Sequence, residues 1–259
     1  MRLALAQLNP LVGDLEGNGH LILEACRDAS RRGAGLVLTP ELSLWGYPPR
    51  DLLLRSSLVA RQDVVLDRLA RDLAEAAPVL VGVVEVIPGA QVPALHNAIA
   101  LLEAGGWRIV CRKQLLPSYD VFDERRYFRP GKEVALLELA VEGQLRRLGL
   151  TICEDLWVEE ELQGHRLAGR DPIADLLAHP LDLLLNLSAS PYGQGKMALR
   201  RRLAGRAAAR LGCPVVYVNQ VGGNDELVFD GASFVVDAGG ETRFQMACGR
   251  EDLGLWERD

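Results

Sequence analysis

Two stretches of this chain set apolar, strand-like runs one after another with no helical segment between them. Val79–Val86, Ala98–Leu102 and Arg108–Cys111 make the first, Val134–Leu139 and Leu145–Ile152 the second. Parallel neighbours need a crossover connection, so these successions speak against a simple alternation of strand and helix. Further strands are expected at Leu3–Leu8, Leu36–Thr39, Leu183–Leu187 and Val215–Val218, with a hairpin near Leu227–Asp237. Helices are expected at Gly17–Arg32, Leu53–Ala76, Ile173–Ala178 and Lys196–Leu211, where Asn18 or Ser56 could cap. Strands and helices interleave throughout, which predicts a layered α/β or α+β fold. No Gly-rich linker, repeat or low-complexity tract divides residues 1–259, so the sequence reads as one domain with enough chain for a substantial core.

Charge narrows the partners. A net charge of −6 and a pI of about 5.4 argue against nucleic acid or an anionic membrane surface. No apolar run approaches membrane-spanning length, and Met1–Gln7 meets Asn9-Pro10 before a signal-peptide core could form, so the expected location is cytoplasmic. Cys26, Cys111, Cys153, Cys213 and Cys248 are odd in number and contain no Cys-x-x-Cys, which suits reduced thiols. Neither they nor His20, His96, His165 and His179 have metal-ligand spacing, and no metal site is expected. Of 29 basic residues only Lys113, Lys132 and Lys196 are lysine. An ammonium fits a tight anionic pocket that a planar guanidinium does not, which draws attention to those positions.

Three apolar runs end on reactive or charged side chains. Gly149–Ile152 delivers Cys153 to the polar pair Glu154-Asp155, Gly35–Pro40 leads to Glu41, and Trp107–Arg112 leads to Lys113. Amide hydrolysis needs a nucleophile, a base to activate it, and positive charge where the tetrahedral oxyanion forms. Cys153, Glu41 and Lys113 supply one of each, provided that the fold brings the strand ends together. None of these segments contains a histidine, which disfavours a Cys–His dyad, although His96 or His179 lying elsewhere in sequence stays open as a base. Taken singly, a cysteine after a strand packs as a small hydrophobe, a glutamate after Thr-Pro sits in a turn, and a lysine is solvated.

The joint pattern resembles a known family. Glu41 in Leu38-Thr39-Pro40-Glu41-Leu42, Lys113 in Arg112-Lys113-Gln114-Leu115-Leu116-Pro117, and Cys153 at the elbow look like the Glu-Lys-Cys triad of the nitrilase superfamily of carbon–nitrogen hydrolases. Four longer strings, Pro40–Leu53, Leu116–Phe128, Asn186–Tyr192 and Val218–Gly231, are similar to the glutaminase domain of glutamine-dependent NAD+ synthetase. The resemblance implies a four-layer α-β-β-α sandwich and cysteine-dependent conversion of glutamine to glutamate and ammonia. It implies that Glu41 is the base, that Lys113 and the Glu154 backbone N–H hold the oxyanion, and that Glu124 orients Lys113. It places Tyr119, Glu154, Ser190 and Lys196 around the amino-acid end of glutamine, with Trp157 as a pocket wall. By their residue types alone, Lys196 could instead face solvent and Trp157 could be core.

The same resemblance implies a partner. Ammonia would feed the amidation of deamido-NAD+ to NAD+ by a synthetase domain or subunit, to which ATP and deamido-NAD+ belong, so no cofactor is expected for this domain itself. The Ser-Gly-Gly-x-Asp-Ser loop of such a synthetase is absent from the chain. Homo-oligomerisation is also implied. A stand-alone amidase for another small amide and a non-catalytic scaffold of the same fold are the competing readings.

Overall fold

The structure is a computed structural model that describes residues 1–90, 94–164 and 169–258, so His165 lies outside the described residues. Its strands are β1 (Arg2–Gln7), β2 (Leu36–Leu38), β3 (Val79–Val86), β4 (Leu95–Glu103), β5 (Gly106–Arg112), β6 (Leu136–Val141), β7 (Gln144–Ile152), β8 (Leu183–Ser188), β9 (Val215–Asn219), β10 (Val221–Asn224), β11 (Leu227–Asp230), β12 (Phe234–Val236), β13 (Thr242–Gln245) and β14 (Asp252–Glu257). The helices are α1 (Leu15–Arg31), α2 (Ser56–Asp72), α3 (Glu160–Gln163), α4 (Pro172–Leu176) and α5 (Lys196–Leu211).

Two six-stranded sheets form, in the orders β14-β1-β2-β3-β4-β5 and β13-β12-β9-β8-β7-β6, beside a two-stranded ribbon of β10 and β11. Each sheet has a parallel centre, β1-β2-β3 in one and β7-β8-β9 in the other, flanked by antiparallel strands. The consecutive runs picked out in the sequence are the antiparallel arms β3-β4-β5 and β6-β7.

Period-two alternation makes the layers. Along β1, Leu3 and Leu5 enter a core shared with Leu150, Ile152, Leu185 and Val216 of the second sheet. Ala4 and Ala6 point the other way, into a core with Ile22 of α1 and Leu66 of α2. On the far side, Leu184, Val215 and Tyr217 pack against Leu203, Ala204 and Ala207 of α5. The result is the expected α-β-β-α sandwich, its two sheets meeting face to face.

Four expectations are corrected. Asp14 caps α1 by accepting from Gly17 N at 2.9 Å, whereas Asn18 is buried inside it and donates to Leu11 O at 2.8 Å and Leu44 O at 3.1 Å. The helix expected over Leu53–Ala76 is broken at Arg55, whose extended backbone (φ −88, ψ 97) separates a short 3-10 turn, Arg50–Leu54, from α2 and leaves Ser56 as a first helical residue rather than a cap. The hairpin near Leu227–Asp237 is two separate strands: β11 pairs with β10, and β12 with β9 and β13. Between them Gly231, at φ +61, lies so close to the Gln7 amide that a Cβ there would meet it at 2.4 Å. Finally, β10, β13 and β14 are absent from the sequence expectation. β13 has only four residues, and β14 is interrupted by Gly254, although its Leu253 and Leu255 pack against the core under α1.

Candidate active site

The tight turn after β2 fixes Glu41. Thr39 and Ser43 share a hydroxyl hydrogen bond of 2.6 Å, and Ser43 Oγ accepts from Gly82 N at 3.2 Å. A Cβ on Gly82 would sit 2.2 Å from Leu42 N, so a glycine in β3 is what lets the turn press against the sheet. Glu41 itself is 1% exposed. Its Oε1 accepts from Lys113 Nζ and from Asn97 Nδ2, both at 2.7 Å, and its Oε2 accepts from Ala189 N at 3.0 Å.

Lys113 follows β5 directly. Its backbone N donates to Asn97 O at 2.8 Å and its carbonyl accepts from Gly131 N at 2.7 Å. The buried ammonium contacts two carboxylates, Glu41 and Glu124, with Glu124 Oε1 2.8 Å away. Tyr47 donates to that same Glu124 oxygen at 2.7 Å. Burial opposes the ammonium, yet the charges of Glu124 and Glu41 outweigh it and hold the Lys113 pKa well above its ordinary value. Burial pushes the Glu124 carboxyl up to about 7, against the pull of Lys113.

Cys153 opens a 3-10 turn, Cys153–Leu156, at the point where β7 ends. Its φ of +45 is a left-handed conformation that a side chain enters at a cost, and it turns the residue sharply out of the strand direction. Burial first, and Glu41 second, raise the thiol pKa well above its ordinary value, with Lys113 acting in the opposite sense. Desolvation and the buried carboxylates of Glu41, Glu154 and Glu124 favour the neutral thiol, against the pull of Lys113.

The polar pair after Cys153 points in two directions. Glu154 is buried, which raises its pKa, and it accepts from Tyr119 OH at 2.8 Å. Tyr119 packs edge-on to Phe122, with ring centroids 5.5 Å apart. Asp155 is 1% exposed and accepts from Ile152 N at 3.1 Å, Gln114 N at 3.0 Å and Leu115 N at 2.8 Å. Beyond the turn, Trp157 is buried and carries the Lys196 ammonium over its ring, 5.3 Å from the centroid. Lys196 therefore lies against an aromatic face rather than out in solvent. Burial lowers its pKa, while the charges of Cys153 and Glu154 act the other way. Ser190 is buried, and its Oγ accepts from Arg200 Nε at 3.2 Å. Arg200, 1% exposed, also donates to Pro191 O at 2.9 Å and pairs with Asp230 at 2.8 Å, fixing the segment that presents Ala189 N to Glu41.

The fold thus gathers Glu41, Lys113, Glu124, Cys153, Glu154, Tyr119, Trp157 and Lys196 at one end of the sandwich, with Ser190 just behind them. Sequence reasoning missed Asn97, Tyr47, Asp155, Arg200 and the Ala189 backbone. Asn97 left a signal: an amide fully buried in an apolar strand must find a partner. Among the described residues no group of three or more His, Cys, Asp or Glu could hold a metal, and no helix is long and apolar enough to cross a membrane.

Residues 2–255 match the carbon-nitrogen hydrolase family. The chain belongs to this family. Carbon-nitrogen hydrolase relatives similar to it include the glutamine-dependent NAD(+) synthetase of Synechocystis sp., 43% identical over 260 residues that make up 99% of this chain and 46% of the relative. The glutamine-dependent NAD(+) synthetase of Thermotoga maritima is 43% identical over 243 residues, 93% of this chain and 39% of the relative. Among solved structures, glutamine-dependent NAD+ synthetase from Acinetobacter baumannii superposes with a TM-score of 0.83 at 33% identity, covering 98% of this chain and 44% of that one. An amidase from Nesterenkonia sp. AN1, 24% identical, shares the fold with a TM-score of 0.78 over 100% of this chain and 93% of its own. The chain therefore spans less than half the length of the synthetases it matches.

Proposed function

We propose that this carbon–nitrogen hydrolase is a glutaminase whose ammonia serves the amidation of deamido-NAD+ by a synthetase domain or subunit. The observation that carries the reading is the buried Lys113 ammonium held between Glu41 and Glu124 beside Cys153 at its left-handed elbow. As substrate enters, Glu41 takes the thiol proton and the sulfur electron pair attacks the side-chain amide carbon. Lys113 and the Glu154 backbone N–H stabilise the oxyanion. Collapse of the intermediate expels ammonia, which takes its proton from Glu41 and leaves a thioester. Glu41 then removes a proton from water, hydroxide adds to the thioester carbon, and the adduct breaks its C–S bond, releasing glutamate and a thiolate that takes the proton back from Glu41. Glu124 orients Lys113 throughout.

Glutamine carries an α-ammonium and an α-carboxylate, so its recognition needs both signs of charge. Glu154, oriented by Tyr119, suits the ammonium, and Lys196 on the face of Trp157 suits the carboxylate. Ser190 completes that end through the segment Arg200 holds. The catalytic cycle uses no cofactor, and ATP and deamido-NAD+ belong to the synthetase. Self-association through the outer helices is part of the same reading. Ammonia release from glutamine by the purified protein, beside a Cys153→Ala control, tests it. Turnover of another small amide with none of glutamine would replace the substrate assignment.

A further inference from the structure

Three backbone N–H groups converge on the Asp155 carboxylate, and they come from two different parts of the chain. Ile152 N, at 3.1 Å, belongs to the end of β7 immediately before the nucleophile. Gln114 N and Leu115 N, at 3.0 and 2.8 Å, belong to the segment immediately after Lys113. Asp155 is 1% exposed, and among the described residues no basic side chain is in salt-bridge contact with it, the Lys113 charge acting on it only at longer range. A buried carboxylate without an ammonium or guanidinium partner is costly, and it persists where several N–H donors satisfy its lone pairs. Nothing in the proposed chemistry uses it. It touches no reacting atom, and its neighbour Glu154 takes the substrate-facing role.

We infer that Asp155 is a positioning residue that locks the Cys153 elbow to the Lys113 segment, setting the distance between the nucleophile and the cation that stabilises its charge. The geometry leaves few other fasteners. Cys153 and Lys113 follow strands of different sheets, β7 and β5, so no strand pairing fixes one against the other, and the Cys111 Sγ to Leu150 O contact of 3.8 Å joins the strands ahead of both residues. Glu41 is tied to Lys113 and to Ala189, but neither bond reaches the elbow backbone. Asp155 spans the gap with hydrogen bonds to main chain on both sides. Its short side chain holds both segments more tightly than a long flexible one would. Burial pushes its carboxyl up to about 7, against the pull of the three N–H groups and of the Lys113 charge, so the link is made where charge is expensive.

The inference rests on the reading of Cys153 as nucleophile, and its test separates the two. Asp155→Asn keeps the shape and replaces one acceptor oxygen with an NH2 group that meets a backbone donor. The second-order rate of Cys153 alkylation by iodoacetamide, read at its own peptide by mass spectrometry, reports on the thiol without reference to substrate. In Asp155→Asn that rate should fall by at least about tenfold, with kcat for glutamine falling by a similar factor and KM nearly unchanged, because ångström-scale misplacement of reacting groups acts on the chemical step. Leu66→Ala, in the core between α2 and the first sheet, supplies a control that lowers Tm while leaving alkylation and kcat in place. Alkylation and kcat within threefold of wild type in a folded Asp155→Asn would overturn the inference, as would losses matching those of Leu66→Ala at equal Tm. If Asp155→Asn does not reach a native circular-dichroism spectrum, Asp155→Ser carries the same reading, and collapse of both would make the carboxylate purely structural. Alkylation that falls as expected in a protein without glutamine turnover would uphold Asp155 and reject the glutaminase assignment alone.

Discussion

Lys113 Nζ lies 2.7 Å from Glu41 Oε1, and both side chains are closed off from solvent. The two residues come from turns that follow β2 and β5, at opposite ends of the run β2-β3-β4-β5, and Asn97 of β4 bonds to both: its amide to the Glu41 side chain, its carbonyl to Lys113 N. A base and an oxyanion-stabilising cation that share one hydrogen bond cannot be altered independently.

Glu41→Gln keeps an acceptor for Lys113 and Asn97 but has no group to take the thiol proton. Because the surroundings raise the thiol pKa, little thiolate forms unaided. Glutamine turnover should drop by roughly 10²–10⁴-fold, the usual worth of a positioned base, with a circular-dichroism spectrum unchanged. Ammonia release within a few-fold of wild type would show that another group deprotonates Cys153.

Lys113→Arg should lower kcat by about 10²–10³-fold, the cost of losing one oxyanion donor. The guanidinium is planar and larger than the site between Glu41 and Glu124, so it must displace one of them. Steady-state kinetics on glutamine checks this, and near-native kcat would place Lys113 outside the oxyanion site.

Cys153→Ala and Cys153→Gly should both lack thioester formation, yet differ in stability. The φ of +45 penalises alanine, whereas glycine adopts it freely. Cys153→Gly should therefore be the more stable by about 1 kcal/mol in urea unfolding, reversing the usual preference for alanine. A lower midpoint for glycine would mean that the elbow is unstrained.

Stability should fall as pH rises through neutrality. Glu124 and Asp155 go from ordinary values of 4.5 and 3.8 to about 7 in the folded protein. The folded state thus keeps protons that the unfolded chain has released, so their contribution is complete below the unfolded values and is lost as pH climbs through about 7. Urea midpoints from about pH 5 to about pH 8 should decline in the wild type and decline less in Glu124→Gln. An identical slope in both would remove Glu124 from the linkage.

Light scattering across micromolar concentrations should show a dimer or larger assembly. A strict monomer with full glutaminase activity would refute self-association as part of the function.

The legible part of the site was the part written at strand ends. Glu41, Lys113 and Cys153 each follow an apolar run, and a reactive group there faces a limited set of fates. Asp155 was visible as a polar neighbour, but its role depends on backbone donors 40 and 41 positions away in sequence, which no local pattern records. Tyr47 and the Ala189 backbone are likewise defined by what they touch. In the fold, α2 was misread because its apolar spacing runs back through Leu53 and Leu54, while only the backbone shows the break at Arg55. Asn18 looked like a cap because caps favour asparagine, yet it is a buried residue tying α1 to the turns around Leu11 and Leu44.

The pairing of β1 with β14 sets an order on how this molecule can be made. Arg2 lies opposite Glu257 and Gln7 opposite Asp252, so β1 waits for a strand synthesised long after it. During synthesis the second sheet can gather its strands over a shorter span, from β6 to β13, while one edge of β1 stays open. Closing it joins segments far apart in sequence, which makes it a slow step. Since Leu3 and Leu5 of β1 also line the core between the sheets, that closure seals the sandwich on which both Glu41 and Cys153 depend.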